Sequence, residues 1–116
     1  MSTNLTEVEK AILIDASEDY TPLSEASFEA LSRGAESARE AVIHLLNLGY
    51  IYVSELEAPG VREVRQLGLD EALDVVGNPD NWKLPPFTDE RYHAISATKR
   101  GMEMVKEILR SPDAPS

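Results

Sequence analysis

Cysteine is absent from this sequence, so neither a disulfide framework nor a thiolate metal site can be built. Long apolar runs are missing too, and no stretch nears the roughly 20 residues of a membrane-spanning helix. Basic residues are scarce, 11 lysines and arginines against 21 acids, for a formal net charge of −10. A field of that sign opposes non-specific attraction to nucleic acid or to an anionic membrane. Histidine occurs only as His44 and His93, without the H-x-x-x-H or H-E-x-x-H spacing that sets two ligands on one helix face; no metal and no other cofactor is expected. The marks of an enzyme are lacking as well: a cysteine nucleophile, a G-x-S-x-G elbow, a glycine-rich phosphate loop, a serine with an evident histidine and carboxylate. We expect no enzymatic activity. The acidic pairs Glu18-Asp19 and Asp89-Glu90 read as solvated loop charges.

What is present fits one domain. A chain of 116 residues that is 42% hydrophobic buries about two-thirds of its unfolded surface without cross-links. Residues Met1 to Glu7 lack the basic-then-apolar order of a signal peptide, so the expectation is a cytoplasmic protein. The charge is uneven, with nine acids and three bases in residues 1–50, nine and four in 51–98, but three and four in 99–116. Acidity of this kind can serve solubility alone.

Asn4 followed by Glu7, then Leu5, Val8 and Ile12 at helical spacing, predicts a first helix running to about Ala16. Thr21-Pro22 predicts a cap with proline at the first position of a second helix, Pro22 to Leu31, buried through Leu23, Phe28 and Leu31. A third helix is predicted from Ala35 or Glu36, with Val42, Leu45, Leu46 and Leu48 inward and Gly49 as its stop. Tyr50 to Leu56 is the clearest strand, and Val61 to Leu67 returns after the Ala58-Pro59-Gly60 turn as the second arm of a hairpin. Asp70 to Val76 reads as a helix capped by Asp70 and stopped by Gly77; the proline-rich stretch 78–87 reads as irregular loop. Arg91 to Ser96 is a third strand, and Thr98 caps a last helix with Met102, Val105, Ile108 and Leu109 on one face.

Two stretches resemble known regulators. Ser37 to Ile51, ending in leucine-x-x-glycine-aromatic-isoleucine wording, is similar to the recognition helix and its exit in MarR-like and PadR-like winged-helix proteins. Tyr92 to Gly101 resembles the wing strand and the threonine-x-x-glycine start of the closing helix. The resemblance implies an α+β, mainly α, winged helix: a three-helix core, a β-hairpin wing and a closing C-terminal helix. It would form a single domain over 1–110, with the wing and its insertion at about 50–96 and a disordered tail at 111–116. It also implies a homodimer, paired through the terminal helices, that binds duplex DNA in transcription regulation.

Two departures point toward an alternative, an acidic winged-helix module used for protein–protein contact without DNA. About forty residues separate Tyr50 from Tyr92, so the wing holds a long insertion at 68–90, and long segments of this kind tend to be functional. The exposed positions of the third helix, Glu36, Arg39, Glu40 and His44, sum to a negative charge where phosphate contact favours bases.

The candidate DNA contacts are Arg33, Ser37 and Arg39 at the start of the third helix, Arg62 and Arg65 on the hairpin, and Lys99 and Arg100 at the start of the last helix. Arg39 can hold guanine bidentately or pair with Glu36 or Glu40. Arg62 and Arg65 suit phosphate contacts or ordinary strand-face charges. Lys99 and Arg100 oppose the helix macrodipole at a place that welcomes anions. Trp82, Phe87 and Tyr92 either cover the domain's own core or anchor a protein interface.

Overall fold

In the computed structural model, which describes residues 5–34, 38–57, 62–82 and 91–110, α1 (Glu7–Glu18) starts from a capping box. Its cap is Thr6, not Asn4, which lies outside the described residues. The Thr6 Oγ1 accepts from the Glu9 N–H at 3.1 Å, and Glu9 Oε1 accepts from the Thr6 N–H at 2.7 Å. Both T-x-x-E and N-x-x-E spacings exist here; starting at Thr6 turns Glu9 inward to a second partner on α3. The helix continues past Ala16 to Glu18.

Thr21–Pro22 is a two-residue strand, β1, rather than the first turn of a helix. Pro22 is extended, and the edge of a sheet tolerates its missing N–H. The second helix, α2 (Leu23–Ser32), follows at once. It buries Leu23, Ser24, Ala26 and Ala30, whereas Phe28 and Leu31 remain 62% and 55% exposed. Size misled the expectation: beside Leu23, α2 buries the small residues Ser24, Ala26 and Ala30, and its two other large apolar side chains stay in solvent.

Within the described residues α3 is Arg39–Asn47, residues 35–37 lying outside them. Val42, Leu45 and Leu46 point inward as expected, and Leu48 is half-buried. Gly49 takes φ +77° and closes the helix, turning the chain into β2 (Ile51–Glu57). β3 (Arg62–Gln66) returns antiparallel, with the register breaking between Glu55 and Leu56; the intervening 58–61 turn lies outside the described residues.

The inserted helix, α4, spans Leu69–Gly77 with Gly68 rather than Asp70 as its cap, and Gly77 is its last residue. Asp70 and Glu71 instead occupy the first turn, where negative charge meets the macrodipole favourably. The start of the stretch read as irregular loop forms a single 3₁₀ turn, Pro79–Trp82. It is fastened by Asn81 Nδ2 and Trp82 Nε1, which donate to the Val75 and Val76 carbonyls at 2.9 and 2.8 Å.

β4 (Arg91–Ala97) pairs with β2 along its whole length, from Ile51 opposite Ala97 to Glu57 opposite Arg91, and with β1 at Thr21 opposite Ile95. The antiparallel sheet therefore runs β1-β4-β2-β3, and the chain is an α+β, mainly helical fold. The last helix, α5 (Lys99–Arg110), begins where Thr98 Oγ1 accepts from the Gly101 N–H at 3.0 Å. Its buried stripe is Gly101, Val105 and Ile108, with Met104 partly covered; Met102 and Leu109 are exposed, since α1 and β4 reach only that stripe. Among the described residues no helix is long and apolar enough to cross a membrane.

Candidate functional site

The expected DNA contacts that are described are distributed over α3, β3, α5 and the end of α2. At the start of α3, Ala38 is fully buried and Arg39 half-buried with its Nε shielded from solvent, while Ser37 lies outside the described residues. Glu40 and Asn47 are the exposed residues of this helix and the His44 side chain between them is partly open, while α1 and α4 pack against its other sides. Arg33 donates to Glu29 at 2.8 Å across one turn of α2.

On the hairpin, Arg65 makes a two-pronged pair with Glu71 of α4, at 2.8 and 2.6 Å, and its Nε reaches Glu55 at 3.1 Å. Those bonds hold the Glu71 carboxyl below its usual range and raise the already basic guanidinium. Arg91 joins Glu55 from the other strand at 3.2 Å. His93, opposite Glu55 in the register, is drawn below the ordinary imidazole value by burial, with Glu55 pulling the other way. Arg62 is exposed at the end of β3, opposite Glu57. Lys99 and Arg100 are exposed on α5, and the Arg100 guanidinium stands 5.5 Å from the Tyr50 ring centre.

The aromatic candidates separate as well. Trp82 is half-buried and packed on the core, Phe87 lies outside the described residues, and Tyr92 borders a cleft of about 850 Å³. This cleft lies between the C-terminal end of α1, β1 and α2. Its walls carry Asp15, Glu18, Asp19, Glu25 and Glu29 together with Tyr20 and Phe28. Burial first, then the carboxylates of Glu29 and Glu18, push Asp15 above the ordinary carboxylate range, with Arg33 offsetting part of the repulsion. Burial and Glu25 raise Tyr92 likewise. Tyr20 is pushed up to about 12, chiefly by burial and then by the neighbouring Tyr52 and Glu63.

Sequence reasoning passed over this cleft, treating Glu18 and Asp19 as solvated loop charges. The available signal was the acidic spacing of Asp15 with Glu18 and of Glu25 with Glu29, each pair on one helix face without a base between them. A second group it passed over joins α1 to α3: Glu9, only 4% exposed, pairs through Oε2 with the His44 Nδ1–H. Among the described residues no group of three or more histidines and carboxylates is placed to hold a metal ion. No protein-family model, curated protein or solved structure matches the chain.

Proposed function

We propose that the chain is a winged-helix module used for protein contact. In support of the fold reading, α1, α2 and α3 precede a strand pair, β2 and β4, and α5 closes the chain, the order that the resemblance implies. The observation that carries the functional reading is the position of α4 against α3. A recognition helix needs an open face and an accessible N-terminus to reach base edges. Here that N-terminus holds a buried Ala38, and the exposed residues of the helix are one acid and one amide. The insertion thus packs against the helix that DNA would read, and the stripe of that helix left open, Glu40, His44 and Asn47, carries no lysine or arginine for phosphate. Duplex binding as a homodimer is the second reading, favoured by the exposure of Arg62, Lys99 and Arg100. Met102 and Leu109, exposed on α5, would supply the apolar contacts of such a dimer.

The test is a titration against mixed genomic duplex fragments at about 50 and 200 mM salt. The expected result is no saturable binding at either salt. Saturable binding that weakens with salt and disappears in the Arg39→Ala, Arg62→Ala double variant would refute the reading and establish the DNA-binding one.

A further inference from the structure

The cleft beside α2 joins two properties that rarely share a surface without a purpose. Its walls are acidic from both sides: Asp15, Glu18 and Asp19 come from the end of α1, and Glu25 and Glu29 from α2. Apart from Glu29, which holds Arg33, none of these carboxylates is in an ion pair among the described residues. The last turn of α1 carries no base, so the negative end of its macrodipole faces the same cleft. Like charges gathered at a helix C-terminus cost stability in the free protein, and a cation would relieve that cost.

The second property is apolar. Phe28 projects into the cleft wall while 62% exposed, and Leu31, 55% exposed, lies one turn further along α2. Tyr20 and Tyr92 add two more rings to the lining. Exposed large apolar side chains next to a concavity mark a docking surface. A planar guanidinium satisfies both properties at once, since it stacks on aromatic faces and pairs with carboxylates through a fork of donors. Arg33 already displays the pairing at the rim, on Glu29. The chain's own segment 83–90 has the wrong charge for this role, with Lys83 outnumbered by Asp89 and Glu90.

Resting on the reading of the chain as a protein-contact module, we infer that the cleft between α1 and α2 docks an arginine-bearing extended segment of a partner protein. A free polyamine would answer the carboxylates but leave Phe28 and Leu31 uncovered; a peptide with apolar residues between its arginines covers both.

The experiment uses the full chain and fluorescence anisotropy. The probes are labelled peptides of about nine residues, some 30 Å extended, with arginines alternating with apolar side chains; lysine-for-arginine and glutamate-for-arginine versions accompany them, and spermine is the competitor. The arginine peptide is expected to bind best. Glu25→Gln and Phe28→Ala, both at exposed positions, should each weaken it about three- to tenfold, while Glu103→Gln on α5 removes the same charge elsewhere and changes it less than about twofold. Equal losses from Glu25→Gln and Glu103→Gln overturn the inference, because they report general charge attraction. Tight spermine binding indifferent to Phe28→Ala overturns it in favour of a small-cation site, and absence of peptide binding overturns it outright. None of these results moves the duplex titration, which reports separately on the module reading.

Discussion

Replacing Gly101 with alanine should destabilise the protein, although the same change in an open helix stabilises it. In an ordinary helix interior alanine gains about 1 kcal/mol over glycine. Here the first turn of α5 lies directly on the α3–β2 junction. A Cβ on Gly101 would come within 2.9 Å of the Tyr50 carbonyl carbon and closer still to its oxygen, inside any permitted contact. Because the obstacle is backbone, no rotamer change can make room. To restore normal separation α5 must withdraw by about 1 Å or more. That movement strains the hydrogen bond from the Thr98 N–H to the Tyr50 carbonyl, 3.0 Å, and that from Thr98 Oγ1 to the Gly49 carbonyl, 2.6 Å. Each contributes about 1 kcal/mol net. Displacement also loosens Val105 and Ile108 in the core, at about 1–3 kcal/mol for an overpacked site. Against the propensity gain, the net cost is about 2–4 kcal/mol. For a domain of this size that is a fall in Tm of roughly 10–20 °C. Urea unfolding followed by circular dichroism measures it directly. A Gly101→Ala protein as stable as the parent, or more so, would refute the close approach of α5 to Tyr50.

Three further outcomes follow from Glu9, which is buried, and from His93 and Asp15, which are half-buried. Glu9→Ala removes both the capping-box acceptor and the partner of His44, so a loss of about 2 kcal/mol is expected in urea unfolding, against about 1 kcal/mol for Thr6→Ala, which removes one half of the box alone; equal losses would show that the Glu9–His44 pair adds nothing. Because burial lowers the His93 pKa, its contribution to stability is complete above the unfolded value of about 6.5 and is lost as the pH falls through the lowered folded value. Asp15 has the opposite sign: with its pKa raised, its contribution is complete below the ordinary carboxylate value and lost as the pH rises through the raised one. Thermal melts should therefore show His93→Gln flattening the decline below about pH 6.5, and Asp15→Asn stabilising the protein at neutral pH but not in strong acid. A parallel offset at every pH would refute either assignment.

Much of the element order was legible in the sequence because its signals are local. Gly49 after Leu48 requires nothing distant to end a helix, and its φ of +77° is the conformation that a C-terminal glycine serves. Thr98 with Gly101 three residues on marked the start of α5, and the β-branched and aromatic run after Gly49 marked β2. The errors arose where two neighbours competed for one role. Phe28 and Leu31 looked like core because they are large, yet beyond Leu23 the residues that α2 buries are Ser24, Ala26 and Ala30. Pro22 suited a first helical turn equally well until β4 arrived to pair with it.

Sequence alone therefore determined the acidity, the lack of cysteine chemistry, the order of the helices and of β2, β3 and β4, and the glycine and threonine that shape the chain where it enters β2 and leaves β4. Charge and local backbone preference are properties of short segments and need no partner. Only the tertiary structure decided that the insertion folds back so that α4 packs against α3, that Arg65 is spent on Glu55 and Glu71, and that acids from α1 and α2 line one cleft with Phe28. Those outcomes depend on which helix faces are buried together, and hydrophobic periodicity states that a face is buried without naming what it is buried against.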